Sequence, residues 1–157
     1  MYEAGIVIRR PIEKDIDSLA SLILRFYRFN EEFDPAWALC MEADKAARRV
    51  AEEYVKGSQG LTLVASYEEK LVGYVRAVMR ENPMLASKMG IITELYVVPS
   101  HRRTGVASML VEHASRELSG MGASYIAAEF PTANYVAERF YKQRRFRPFL
   151  SVYLQEV

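Results

Sequence analysis

Cysteine is nearly absent from this chain. Cys40 stands alone among 157 residues, so no internal disulfide can form, and a reducing compartment is the expectation. Long apolar runs are missing as well. No stretch approaches the ~20 residues of a membrane-spanning helix. Near the N-terminus, Ile6-Val7-Ile8-Arg9-Arg10 alternates instead of forming the apolar block of a signal peptide. Nor is there an excess of charge of one sign: 21 Lys+Arg against 20 Asp+Glu give a formal net charge of +1. Bulk electrostatics therefore call for neither nucleic acid nor an anionic membrane, and any basic function must be local. There is no repeat, no low-complexity tract and no linker. A cytoplasmic protein is the default reading.

What is present suits one domain spanning 1–157. Half the residues are hydrophobic and 26% charged, in a chain long enough to bury a core. Hydrophobic periodicity switches repeatedly between strand and helix. Gly5 to Arg10 reads as a strand closed by Pro11. Ile16, Leu19, Ala20, Ile23, Phe26 and Tyr27 then mark an amphipathic helix to about Arg28. Asp34-Pro35 predicts the start of a second helix, with Leu39, Ala43, Ala46, Val50 and Tyr54 on one face and a stop at Gly57. Leu61–Ser66 and Leu71–Met79 form a hairpin, and Gly90–Val98 another strand. A helix follows from Gly105, then a strand at Ala123–Phe130, a helix from Ala133 to about Arg144, and a last strand at Phe149–Leu154. The prediction is an α/β domain with a mixed sheet flanked by helices, in the order β-α-α-β-β-β-α-β-α-β. Residues 90–130 form a βαβ unit, whose strands should be parallel. Ligands of such sheets sit at strand carboxyl ends beside the next helix, which directs attention to Val98–Ser108.

That segment reads Arg102-Arg103-Thr104-Gly105-Val106-Ala107-Ser108. A glycine at a strand-to-helix junction lets an anion approach backbone amides that have no helical partner and carry the positive end of the helix dipole. Arg102, Arg103 and His101 add cationic donors, and a pyrophosphate fits such a turn. The plainer reading is a glycine that permits a tight turn beside solvated arginines. A Walker loop is excluded because no Gly-Lys is followed by Ser or Thr, and a dinucleotide fingerprint needs more glycines. His101, His113 and Cys40 are too dispersed for a metal site or a Cys/His nucleophile, so no metal is expected. The basic run Lys142, Arg144, Arg145 and Arg147 suits a helix C-terminus; no interleaved aromatics support nucleic-acid binding.

Taken together, Glu94-Leu95-Tyr96-Val97-Val98-Pro99 followed by Arg102-x-x-Gly105-x-Ala107 resembles the acetyl-CoA signature of the GNAT superfamily of N-acetyltransferases. Glu129, Asn134, Ala137 and Phe140-Tyr141 fall at the spacings of that superfamily's second block. The likeness in element order runs from residue 6 to residue 154. One position departs: Arg145 stands where the family usually has glycine before Phe146. Arginine there would be strained at positive φ, so a differently shaped turn is expected.

The resemblance implies acetyl-CoA as co-substrate. The pantetheine arm would pair with the backbone of Leu95, Tyr96, Val97 and Val98, with one amide holding the thioester carbonyl as an oxyanion hole does. The amides of Arg103, Thr104, Gly105, Val106, Ala107 and Ser108, flanked by Arg102, would take the pyrophosphate, and Asn134 the pantetheine. Tyr141 lies seven residues after Asn134, two helical turns or ~10.5 Å along one face. It would protonate the leaving thiolate; its other reading is a packed aromatic beside Phe140. Glu94 and Glu129 are the candidate bases, each also readable as a strand-edge glutamate in a salt bridge. Alternation groups Glu94 with Ile92 and Tyr96, facing inward. Between the first two helices, Glu31, Glu32 and Phe33 would wall the acceptor site and favour a cationic amine such as a polyamine or a lysine side chain. Against this stands the plainer reading of solvated glutamates with Asp34 as a helix cap.

The activity so implied is direct transfer of an acetyl group to an amine in a ternary complex. A protein N-terminal acetyltransferase and a non-catalytic acyl-CoA-binding module remain alternatives, and Tyr141 speaks for catalysis. No nucleic-acid or membrane partner is implied, while homodimers are common in the family.

Overall fold

The computed structural model describes residues 4–157. In chain order its elements are β1 (Val7–Arg9), α1 (Ile16–Glu31), α2 (Ala43–Lys56), β2 (Leu61–Tyr67), β3 (Lys70–Arg80), β4 (Lys88–Val97), α3 (Val106–Gly120), β5 (Ala123–Ala128) and α4 (Tyr135–Gln143). The five strands form one sheet in sequence order. Every neighbouring pair is antiparallel except β4–β5, which is parallel, as the βαβ reading requires. The β2–β3 hairpin turns at Glu68 and Glu69, both at positive φ (47° and 65°), which matches the strand twist. Gly57 stops α2 in the left-handed conformation at φ 74°.

Helices cover both sheet faces. On one, Leu110, Val111, Ala114 and Leu118 of α3 and Tyr141 of α4 join Leu63, Val75, Ala77 and Ile92. On the other, Leu19, Leu22 and Ile23 of α1 and Ala47 and Ala51 of α2 pack on Val64, Tyr74 and Tyr96. The β3–β4 register pairs Arg76 with Glu94 but Ala77 with Ile92, leaving Thr93 as a bulge. The extra residue reverses the alternation. Ile92 faces α3, whereas Tyr96 faces α1 and α2. Glu94 therefore shares a face with Tyr96 and not with Ile92, contrary to simple period-two reading.

Two predicted elements differ. Asp34 does cap a helical turn, accepting from the Ala36 amide at 2.8 Å, but the turn is a 3₁₀ piece ending at Trp37. Ala38 is extended (ψ 131°), the Trp37 ring packs against Tyr27 with centroids 5.9 Å apart, and the Leu39 amide donates to the Glu31 carboxylate at 3.2 Å. Those contacts fasten the segment to the end of α1, so α2 starts only at Ala43. The predicted last strand, Phe149–Leu154, pairs with nothing: residues 147–157 are exposed and outside any strand. Period two gives a segment the capacity to pair, but a strand exists only beside a partner.

The expected change of turn at Arg145 is also overturned. Arg145 occupies the left-handed region itself, at φ 66°, and closes α4 with its amide on the Lys142 carbonyl at 3.0 Å. Its side chain is exposed and makes no described contact that would reward the strain. Arg145→Gly should therefore stabilise the fold by about 1 kcal/mol, read as a higher urea midpoint at unchanged slope.

Candidate active site

The β4–β5 ladder ends at Ile92↔Ala128, where the Glu129 amide donates to the Ile92 carbonyl at 2.9 Å. Beyond that point β4 continues from Thr93 to Val97 with only β3 beside it. The two parallel strands diverge there, leaving a wedge whose β4 wall is an unpaired backbone edge. The Val98 amide is turned to β3, bonding the Val72 carbonyl at 2.9 Å. Alternation then turns the polar groups of Leu95 and Val97 to the open edge. Of the four residues predicted to pair with an extended ligand, these two present amides to the wedge, while Tyr96 and Val98 serve the sheet.

At the mouth of the wedge the chain makes a 3₁₀ turn at Pro99–His101 and enters α3 through Arg103 (φ 63°) and Gly105 (φ 89°). Thr104 Oγ1 donates to the His101 carbonyl at 2.5 Å and pins the turn. No amide from Arg103 to Ser108 donates to any described acceptor, and no side chain caps α3. These free donors stand at the positive end of a 15-residue helix, an arrangement able to hold an anion. Arg102 folds back: its Nε donates to the Val97 carbonyl at 3.0 Å, and its guanidinium lies 5.6 Å from the Tyr96 ring and 5.9 Å from Phe29. It braces the turn against β4 and α1. Ser108 is buried, and its Oγ accepts from Arg144, whose guanidinium also holds the Phe140 carbonyl at 2.8 Å and lies 3.6 Å from the Phe140 ring centroid. That hydroxyl ties α3 to α4.

Asn134 caps α4: its Oδ1 accepts from the Ala137 amide at 3.0 Å, and its Nδ2 makes no hydrogen bond among the described residues. Tyr141 follows two turns on, buried among Phe130 (5.5 Å, stacked), Phe140 (5.1 Å) and Phe146 (5.1 Å). Its hydroxyl takes part in no described hydrogen bond, and burial pushes the phenol well above its ordinary pKa. Tyr141 is thus packed and protonated, with a donor that nothing in the fold uses.

The two glutamates separate. Glu129 is half exposed and paired with Arg80 at 3.3 Å, at the surface beyond the end of β5. Glu94 is 5% exposed, on the α1/α2 face. Tyr54 of α2 donates to its Oε2, and Tyr74 of β3 donates to Oε1 at 2.9 Å. Burial raises the Glu94 pKa above the ordinary carboxylate value, opposed by the two phenol donors and the Arg76 charge. Arg76 lies 4.3 Å from the Tyr54 ring centroid and is itself held by Thr62 Oγ1 (3.0 Å) and the Ser58 carbonyl (2.8 Å). On α1, Tyr27 is pushed up to about 12 by burial and by the Glu94 charge. Buried carboxyls shifted upward in this way cluster at sites that move protons.

Because its folded pKa is raised, protonated Glu94 contributes stability that is complete at low pH and lost as pH rises through that pKa. Glu94→Gln keeps the acceptor for one tyrosine and removes the ionisation. Its melting temperature should gain on wild type between about pH 5 and pH 8. A constant difference in scanning fluorimetry across that range would refute the assignment.

Sequence reasoning missed the three tyrosines and Arg76, since nothing in local spacing brings α1, α2 and β3 to one carboxyl. It also missed Asn30. That residue is 1% exposed, on the stripe of α1 that carries Leu19 and Ile23, and its Nδ2 is the buried side-chain atom without a partner among the described residues. Glu31, Glu32 and Phe33 lie at the end of α1; both glutamates are exposed, and the Phe33 ring meets Phe29 edge-on at 5.0 Å.

The model of the acetyltransferase (GNAT) family matches residues 17–146. The chain belongs to this family. Human N-acetyltransferase 8 is 29% identical over 98 residues, covering 62% of this GNAT chain and 43% of that protein, so the chain matches less than half of the relative's length. Among solved structures, an aminoglycoside N-acetyltransferase, AAC(6')-Iy, in complex with CoA superposes with a TM-score of 0.75 at 17% identity, covering 97% of this chain and 94% of that one. A variant of the BH1408 protein from Bacillus halodurans reaches 0.83 at 19% identity, covering 96% and 99%. At such identities these two superpositions speak to the GNAT fold alone. No helix among the described residues is long and apolar enough to cross a membrane.

Proposed function

We propose that this chain is an N-acetyltransferase that moves the acetyl group of acetyl-CoA directly onto a cationic amine. The observation that carries the reading is the β4–β5 wedge opening onto the amide nest at Arg103–Ser108. An extended pantetheine arm suits the free edge at Leu95 and Val97, and the Asn134 Nδ2 is a further donor for it. A pyrophosphate suits the nest.

In the reaction the neutral amine nitrogen attacks the thioester carbonyl, a C–N bond forms and the C–S bond breaks. A wedge amide stabilises the charge on the carbonyl oxygen. Tyr141 gives its proton to the departing sulfur. The amine's surplus proton goes to Glu94, and the tyrosines around that carboxyl suggest that it travels by hydroxyl or water and not by direct contact. Glu129, tied to Arg80 at the surface, is the weaker candidate.

The need for a base depends on the acceptor. Freeing a lysine-type amine (pKa ~10.4) of its proton at pH 7 costs about 4.6 kcal/mol, whereas an α-amine near 8 costs about 1.4. A buried, raised carboxyl fits the harder case. The exposed Glu32, the Glu31 carboxylate beside it and the Phe33 ring form the cation-attracting rim.

A thiol-release screen of polyamines, lysine peptides, α-amines and aminoglycosides with acetyl-CoA tests the reading. The expected result is turnover on polycationic amines, with Glu31→Gln plus Glu32→Gln raising acceptor KM a few-fold and leaving CoA affinity alone. Higher salt should mimic the double change. Turnover confined to neutral amines would remove the cationic assignment, and absence of both turnover and CoA binding would remove the function.

A further inference from the structure

Arg76 is a buried cation without a direct counter-ion. It lies within β3, 6% exposed, and no carboxylate forms an ion pair with it among the described residues. Arginine is almost never buried unless paired, because a guanidinium is costly to take out of water. Here its donors reach two neutral oxygens instead: Nη1 bonds Thr62 Oγ1 at 3.0 Å and Nη2 the Ser58 carbonyl at 2.8 Å. The backbone leaves room for this seat. A Cβ at Gly60 would crowd the Ala77 carbonyl (2.6 Å) and Arg76 Nη2 (2.7 Å) alike.

The counter-charge lies one ring away. Glu94 is the register partner of Arg76 on β4, so both project to the same face of the sheet. Tyr54 joins them: its ring centroid is 4.3 Å from the guanidinium carbon, and its hydroxyl donates to Glu94 Oε2. One tyrosine thus serves the cation with its face and the carboxylate with its hydroxyl. The separation matters. A guanidinium in fork contact would hold the carboxylate too firmly ionised to accept a proton near neutral pH. With no cation nearby, burial would leave the carboxyl protonated and equally unable to accept one. From one ring away the charge acts through a dry interior, where it counts for more than in water, and both carboxylate oxygens stay with the phenols.

We propose that Arg76 is a positioning residue for the transfer: from behind the Tyr54 ring it keeps Glu94 charged and ready for the amine's proton. This role rests on the reading of Glu94 as the base. The other titratable groups facing that carboxyl are Tyr27 of α1, Tyr54 of α2 and Tyr74 of β3, all phenols raised by burial and therefore neutral. Arg102 is held farther along, against the Tyr96 ring and the Val97 carbonyl. Burial raises the Glu94 pKa; the phenol hydrogen bonds lower it, and Arg76 is the only cation among the described residues that does so. With that charge removed, burial is opposed by the phenols alone. The pKa then rises, and Glu94 stays protonated to higher pH.

Two neutral variants test this, Arg76→Met and Arg76→Gln, the second keeping an N–H donor for the seat, while Arg76→Lys keeps the charge. Infrared difference spectra against Glu94→Gln isolate the C=O stretch of protonated Glu94. As pH is raised, that band should persist about one pH unit further in the neutral variants than in wild type, with Arg76→Lys close to wild type. With acetyl-CoA and spermidine, the acid limb of kcat should move up by the same interval, while acceptor KM changes little. The acceptor's own ionisation is common to all variants and cancels. A band that fades at one pH in every variant would overturn the proposal. So would a rate loss equal at every pH and as severe in Arg76→Lys, which is the mark of a packing residue. A band that moves while Glu94→Gln keeps wild-type turnover would overturn the base assignment and the positioning role with it. An unmoved band beside an inactive Glu94→Gln would overturn the role of Arg76 alone.

Discussion

Gly105→Val should abolish coenzyme A binding in isothermal calorimetry while the far-ultraviolet spectrum stays that of the wild type. Gly105 sits at φ 89°, a region closed to a β-branched residue, and it precedes a helix whose first amides have no partner. Valine either strains the junction in place or rotates it toward negative φ, and rotation takes the amides of Arg103–Ser108 out of their common direction. Losing two charge-assisted bonds at about 1.5–3 kcal/mol each weakens binding by roughly 10²-fold or more. The fold tolerates the change because Gly105 is half exposed and the α3 core contacts begin with Val106. Unaltered affinity would move the pyrophosphate away from this turn.

Tyr141→Phe is expected to lower turnover by about 10²–10⁴, with coenzyme A affinity and acceptor KM nearly unchanged. The substitution is informative because the ring's packing against Phe130, Phe140 and Phe146 survives it. The hydroxyl holds no described partner, so its removal strands nothing, and thermal stability should stay level or rise slightly. A structural tyrosine would show the opposite pattern, losing stability and keeping rate. Burial raises the phenol's pKa, so Tyr141 keeps its proton across the working range. No alkaline fall in rate within that range should therefore trace to Tyr141. Near-normal turnover in Tyr141→Phe would return the residue to packing.

Features that depend on nearest neighbours were legible in the chain. Gly57 and Gly105 announce helix boundaries because a left-handed residue there favours glycine. The β2–β3 hairpin follows from two strand-type runs around a two-residue turn. Arg145 shows the limit of such logic. The left-handed position persisted without its glycine, because the surrounding turn and the packing of Phe146 on Tyr141 require it.

Glu94 shows where local reading stops. Alternation along β4 grouped it with Ile92, but the bulge at Thr93 arises from pairing with β3 and puts the two on opposite faces. Its burial and its phenol partners come from α2 and β3, 40 and 20 residues away in the chain. The late start of α2 has a similar origin, in the contact of Trp37 with Tyr27.

The amino-acid order by itself determined the mixed α/β plan, the glycine turn into α3 and the spacing of Asn134 and Tyr141 two turns apart at α4, because each rests on periodicity or on residues within two helical turns. Only the tertiary structure decided which glutamate is buried, which amides of β4 stay free and whether Phe149–Leu154 finds a strand within its own chain. Those outcomes depend on neighbours brought together by strand pairing and helix packing, and no local spacing encodes them.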